Sequence, residues 1–294
     1  MVEKSLFLGC TIPGRIPFVE KSAKLVMEDL GINFEYLEGA VCCPDPVGIN
    51  ALDKDSWTAM AARNIALAQG RDKGVVTLCT GCAMTLRTVN HELQHSDMEK
   101  EKINKILNKI GKNIDEGVDV KHLITVLLEE IGIDAVKSAV KNPLTGLNVA
   151  LHYGCHLLRP SDIMKVDDPF NPSKIDKIIE ALGANSLDYT EKLLCCGHGV
   201  SIFSDEIATT LNRKKFRSML SVNTDLICVF CPSCYLRLEN GQRSLKKQFG
   251  EVVKIPVVYF TDLMAIAFGY SSEEIGLKLH RPDPTKILQE KGIL

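Results

Sequence analysis

Short apolar runs, each followed by residues at helical spacing, recur along this chain in the same order in its two halves. The run Ser5-Leu6-Phe7-Leu8 leads to Pro17 through Leu30, where apolar residues fall at helical spacing and Gly31 supplies a stop. Val75-Val76-Thr77-Leu78 leads to a helix predicted from Ala83 to about Leu93. The matching runs of the second half are Asn148-Val149-Ala150-Leu151 and Leu226-Ile227-Cys228-Val229-Phe230, with helical patterns over Lys174 to Leu182 and Asp205 to Leu220. Each half closes on a strand running into an apolar helix, over Val118 to Gly132 and over Pro256 to Gly269. Continuous apolar strands alternating with helices predict parallel sheets covered on both faces. The expected fold is α/β, with two duplicated domains related by a pseudo-twofold axis, each a small, mostly parallel sheet flanked by helices. The first domain is expected over residues 1–141, with a solvated helical insertion near 96–117. The second is expected over 146–294 with a C-terminal tail, and Lys141 to Gly146, carrying Asn142-Pro143 and Thr145-Gly146, reads as the hinge.

Cysteine makes the duplication explicit. Ten of the eleven cysteines form one pattern written twice: Cys10, Cys42-Cys43, Cys79-Thr-Gly-Cys82, then Cys155, Cys195-Cys196, Cys231-Pro-Ser-Cys234. The gaps before the pair are 31 and 39 residues, and those before the C-x-x-C are 35 and 34. Five thiols in the same order twice indicate internal duplication, with one cysteine site per half. In a parallel α/β sheet, ligands gather beyond the carboxyl ends of the strands, where these cysteines fall.

Composition narrows the chemistry. A formal charge of −2 with mixed signs and no basic stripe argues against nucleic acid. The longest apolar stretch, Val257 to Gly269, is broken by Asp262 and too short to span a bilayer, and the first residues lack a signal sequence. The chain is therefore expected to be soluble and cytoplasmic, with no membrane contact. In that compartment a cysteine framework more often binds metal or does redox chemistry than forms disulfides, and adjacent cysteines bridge poorly. Structural zinc takes four ligands, a cubane iron–sulfur cluster takes four, and a thioredoxin-type C-x-x-C uses two. Five thiols per half fit a cluster with more terminal or bridging positions than a cubane.

The order C-x31–39-C-C-x34–35-C-x-x-C, present twice over nearly the whole chain, resembles the cysteine-rich CCG domain family. Two copies without a ferredoxin module resemble, within it, the B subunits of heterodisulfide reductases of methanogenic archaea. The resemblance implies two noncubane [4Fe-4S] clusters with Cys10, Cys42, Cys43, Cys79 and Cys82 on one, and Cys155, Cys195, Cys196, Cys231 and Cys234 on the other. It implies reduction of the mixed disulfide of coenzyme M and coenzyme B. Implied partners are a ferredoxin-like C subunit, a flavin-containing A subunit, and a hydrogenase or formate dehydrogenase behind them. Paired domains of this kind also occur in lactate, glycolate and succinate oxidation systems, so an electron-relay subunit is the alternative. The first copy departs from the family name, reading Cys42-Cys43-Pro44 where the second reads Cys195-Cys196-Gly197.

Other residues sort around this pattern. Cys228 matches Val76 in an apolar strand and is expected in the core. Disulfide cleavage to thiols consumes two protons, which makes His156 the candidate donor, with His198 and His152 as alternatives. Arg15 and Arg159 follow the first cysteine of each copy and are candidate grips for the sulfonate and phosphate ends of the substrate. Trp57 is expected in the core.

Overall fold

The computed structural model describes residues 2–71 and 73–294. Each half forms a four-stranded, wholly parallel sheet. The first contains β1 (Val2–Phe7), β2 (Ile32–Tyr36), β3 (Gly74–Thr77) and β4 (Val120–His122) in the order β2-β1-β3-β4. The second contains β5 (Asn148–His152), β6 (Asn185–Leu187), β7 (Leu226–Val229) and β8 (Val257–Tyr259) in the order β6-β5-β7-β8. The central strands are the apolar runs of the sequence, and Leu6, Phe7, Val75, Val76, Val149 to Leu151 and Leu226 to Val229 are all buried. At one edge of each sheet, β2 and β6 carry no such mark, while β8 at the opposite edge reads Val-Val-Tyr and is buried throughout. β2 reads Ile-Asn-Phe-Glu-Tyr with only Ile32 buried, and β6 reads Asn-Ser-Leu. An edge strand that solvent reaches tolerates polar residues, whereas a strand buried throughout keeps an apolar run wherever it lies in the sheet.

The strand order reverses between β1 and β3, and again between β5 and β7. Such a reversal opens a crevice at the carboxyl ends of the strands. Cys10 follows β1, the pair Cys42-Cys43 follows β2, and Cys79 follows β3. Cys155, Cys195-Cys196 and Cys231 follow β5, β6 and β7 in the same way.

The two halves are fastened to each other beside these crevices. His122, at the end of β4, donates from Nε2 to the carbonyl of Phe230 at 3.0 Å, while its Nδ1 accepts the N–H of Ile124 at 3.1 Å. Burial lowers the pKa of this histidine to about 4, so it sits neutral with its proton on Nε2. Reciprocally, the Tyr259 hydroxyl at the end of β8 donates to the carbonyl of Leu78. Each half thus holds the carbonyl just before the other half's C-x-x-C. The Ser22 and Thr261 hydroxyls meet at 2.8 Å, and Phe18 packs on Tyr235 and His280 with ring centroids 5.7 and 4.5 Å apart.

The segment between the halves and the insertion both pack on the rest of the fold. Lys141 to Gly146 is tied down: the N–H groups of Lys141 and Asn142 both donate to Ala267 O at 2.8 and 2.9 Å, and Leu144 N donates to Leu182 O at 2.9 Å. The insertion after Ser96 contains the helix Asp97–Leu107, and Ile103, Leu107 and Ile114 are buried, so one face packs on the domain. Among the described residues, no helix is long and apolar enough to cross a membrane.

Candidate metal centre

Both C-x-x-C segments form the first turn of a helix. Cys79 precedes the helix Thr80–His95 and Cys231 precedes Pro232–Phe249, each in extended backbone at the N-cap. A spacing of three within the first turn puts both sulfurs on one side, next to free N–H groups and the positive end of the helix dipole. Of the four, Cys231 is held well below the ordinary thiol range by hydrogen bonds from Cys234 and Cys79, while Cys79, Cys82 and Cys234 are pushed up by hydrogen bonds to neighbouring thiols and by burial.

The cysteine pairs are held by buried amides that sequence reasoning did not single out. Asn64, on the helix Lys54–Ala68, donates to the carbonyls of Val41 and Cys42, each at 3.2 Å, and accepts from Val41 N at 2.9 Å. Asn212, on the helix Asp205–Leu220, donates to Cys196 O at 2.6 Å and Ala208 O at 3.0 Å. The readable signal is an Asn on the core face of the helix following each pair. Local turns differ as Pro44 and Gly197 imply. Gly197 adopts φ +83° and donates its N–H to Cys195 Sγ at 3.3 Å, a bond proline cannot make.

A glycine precedes the first cysteine in each half with left-handed backbone, Gly9 at φ +71° and Gly154 at φ +73°. A Cβ on Gly9 would stand 2.9 Å from Cys82 Sγ, so the loop passes directly against a candidate ligand.

The ten thiols form one continuous row. Cys10 meets Cys42 at 3.6 Å, Cys43 meets Cys82 at 3.0 Å, and Cys42 and Cys82 interact with Cys43 and Cys79 in turn. Cys79 and Cys231 face each other across the halves at 3.9 Å. The order then runs in reverse through Cys234, Cys196, Cys195 and Cys155. No cysteine among the described residues is in a disulfide. Protons are shared unevenly along the row. Hydrogen bonds from Cys42 and Cys82 hold Cys43 well below the ordinary thiol range, and Cys155, Cys196 and the N–H of Gly197 lower Cys195 to about 2. Their donors are pushed up, Cys196 to about 12 by its bond to Cys195 and then by burial. Close thiols cannot all ionise without a cation among them, and a soft thiolate set selects zinc, copper(I) or iron–sulfur groups. Five thiols per half exceed the tetrahedral need of zinc and fit an iron–sulfur group.

All ten line one cavity of about 490 Å³, together with Arg15, His156 and His198. His156 comes from the second half, yet its Nδ1 lies beside Gly81 of the first. Arg15 is exposed at the rim. Arg159 lines a neighbouring cavity of about 410 Å³ with Trp57, Met84 and Thr88, and one guanidinium N–H donates to Pro169 O at 2.7 Å. The two arginines therefore do not share a cavity, although Cys155 and His156 line both. Trp57 is buried. His152 is buried, three residues before Cys155, and groups with Cys196 and Cys234, one of its ring nitrogens and their sulfurs lying within 4.8 Å of one another.

The family model for the cysteine-rich CCG domain matches residues 5–87 and 149–239, and each segment contains one full set of five cysteines. The chain belongs to the cysteine-rich CCG domain family. Its relatives include the B subunit of a ferredoxin/F(420)H(2)-dependent CoB-CoM heterodisulfide reductase of Methanosarcina acetivorans, 37% identical over 95% of this chain and 93% of that protein. A protein of Archaeoglobus profundus, described as like the B subunit of heterodisulfide reductase, is 34% identical over 94% of the chain and 93% of its own length. The membrane anchor subunit of an 8-methylmenaquinol:fumarate reductase of Wolinella succinogenes is 28% identical over 97% and 99%. A crystal structure of a hypothetical protein from Helicobacter pylori superposes with a TM-score of 0.74 over 95% of this chain at 13% identity. Only about half of that chain (51%) is matched, so it supports the fold alone.

Cys228 stands outside the CCG thiol row. It is fully buried in β7, and burial raises its thiol well above the ordinary range. Cys228→Ala should cost about 1 kcal/mol of stability for the small cavity it leaves and should not change metal content. Iron analysis beside thermal unfolding checks this, and lost iron would make Cys228 a ligand.

Proposed function

We propose that this chain is the disulfide-reducing B subunit of a cytoplasmic heterodisulfide reductase, acting on the mixed disulfide of coenzyme M and coenzyme B. The observation that carries the reading is the single cavity lined by both sets of five thiols, which lets one small molecule meet both halves at once. Cys10, Cys42, Cys43, Cys79 and Cys82 would hold one noncubane [4Fe-4S] group, and Cys155, Cys195, Cys196, Cys231 and Cys234 the other. When bound, such groups supply single electrons, so two of them match the two-electron demand of one S–S bond. The reaction takes the disulfide, two electrons and two protons to two thiols.

The chain's own residues orient and protonate. His156, whose ring reaches from the second half to Gly81 of the first, can hold a proton at Nδ1 for a departing thiolate. Arg15 at the rim suits the sulfonate or phosphate end of the substrate. Arg159 would serve only a substrate reaching the neighbouring cavity, since Pro169 O already occupies part of its guanidinium. Electrons would come from a ferredoxin-like C subunit, a flavin-containing A subunit, and a hydrogenase or formate dehydrogenase upstream. The relatives named as B subunits of ferredoxin-linked heterodisulfide reductases support the presence of partner subunits.

A second reading, an electron relay with no substrate of its own, is favoured by the Wolinella relative, whose name assigns it to a menaquinol:fumarate reductase. Anaerobically loaded protein should contain roughly eight irons per chain with matching sulfide. Adding the coenzyme M–coenzyme B disulfide without any partner chain should change its paramagnetic signal. One or two zincs with little iron would sink the whole reading, whereas full iron with no response to the disulfide would leave the relay.

A further inference from the structure

The two halves repeat their cysteines but not the polar groups behind them. His152 ends β5 three residues before Cys155, and Phe7 ends β1 three residues before Cys10. His152 is 1% exposed, and neither ring nitrogen has a hydrogen-bond partner. An imidazole carries at least one N–H whether neutral or protonated, and burial without an acceptor leaves that donor unsatisfied. Its neighbours are Cys196 Sγ and Cys234 Sγ, within 4.8 Å of one ring nitrogen. At the matching place in the first half, the Phe7 ring offers no donor.

Lys215 adds a second difference. It lies on the helix that carries Asn212 and is wholly buried, with Nζ donating to Glu191 O at 2.5 Å and Lys192 O at 3.3 Å. Burial lowers its pKa to about 8, with the thiols Cys196, Cys234 and Cys195 acting in the opposite direction, so the ammonium persists at neutral pH. Aligning the bracing amides Asn64 and Asn212 places Leu67 at the matching position, three residues on. The second site is therefore backed by a buried N–H donor and a buried cation where the first has Phe7 and Leu67. Arg15 is exposed and screened by solvent, while His156 and His198 face the shared cavity, so none of these offsets the difference.

We propose that the halves are electronically unequal, His152 and Lys215 making the second-half iron–sulfur site the one reduced at the higher potential. Adding an electron adds negative charge, and hydrogen bonds to cluster sulfur together with a buried ammonium one turn along the helix that braces Cys196 stabilise that charge. His152 and Lys215 are positioning and tuning residues in this account, acting through the sulfurs of Cys196 and Cys234. The electron entering the chain comes to rest first in the second half. The inference rests on the reading that each half holds an iron–sulfur group.

The test is a redox titration of the loaded full-length chain against dithionite with mediators, followed by electron paramagnetic resonance. Cys43→Ser leaves only the second site and should titrate at the higher midpoint, while Cys196→Ser should retain the lower one. His152→Phe, which copies the first half, and Lys215→Leu should each lower only the higher midpoint at unchanged iron content. If His152→Phe loses iron from the second half, His152→Gln, which keeps an N–H donor, should restore loading with a midpoint near that of the natural chain. Equal midpoints in the single-site proteins, a reversed order, or a midpoint indifferent to both substitutions would overturn the inference. Protein that takes up no iron at all would overturn instead the reading of the site on which it rests.

Discussion

Cys43→Ser or Cys196→Ser is expected to abolish disulfide reduction rather than halve it. Each cysteine is buried in the middle of its own half's thiol row, so serine there should release one iron–sulfur group and spare the other, taking iron from roughly eight per chain to roughly four. The cavity, however, is common to both halves, and Cys79 and Cys231 approach to 3.9 Å at its centre. A disulfide gripped at one sulfur can accept one electron but cannot leave as two thiols. Groups that act as a unit lose function together, so turnover should fall by more than about 100-fold for either variant. Steady-state reduction of the coenzyme M–coenzyme B disulfide, with iron measured on the same sample, checks this. A variant with four irons turning over at half rate would mean independent sites.

Gly9→Ala should empty the first-half site, whereas Gly154→Ala should leave the second loaded. Both glycines hold left-handed backbone, where a side chain costs about 1–2 kcal/mol. What separates them is the space in front. A Cβ at Gly9 meets Cys82 Sγ at 2.9 Å, inside any tolerable contact, while at Gly154 the nearest sulfur, Cys234 Sγ, is 3.7 Å away. Gly9→Ala must therefore displace the sulfur of a candidate ligand, and Gly154→Ala need only bear backbone strain. Iron content after anaerobic loading should fall by about half in the first variant and stay full in the second, with a lower melting temperature in both. Equal iron in the two proteins would show that the loop before Cys10 can move aside.

The duplication, the parallel sheets and the place of the thiols are all legible in the order of residues. A central parallel strand is buried on both faces and shows as an apolar run, and each run here ends at a cysteine beyond its carboxyl end. The Cys228 assignment to the core rests on the same logic, Val76 being its counterpart in β3. Strands β2 and β6 escape it because solvent reaches them and tolerates polar residues, whereas β8, at the opposite edge of its sheet, is buried and keeps its apolar run. What lies between the halves emerges only once the chain is folded. The pairing of His122 with Phe230 O, of Tyr259 with Leu78 O and of Cys79 with Cys231 joins residues more than a hundred positions apart. No local spacing encodes such contacts, because they follow from how two finished sheets dock. The same holds for Arg159, which sits after Cys155 as Arg15 sits after Cys10, yet opens into a different cavity once its guanidinium is drawn to Pro169 O. Asn64 and Asn212 read as ordinary polar residues on amphipathic helices until each is buried against the carbonyls of a cysteine pair. Sequence records which groups can bind metal, because that follows from residue type and spacing. Which of them share one cavity follows from packing between segments that never meet along the chain.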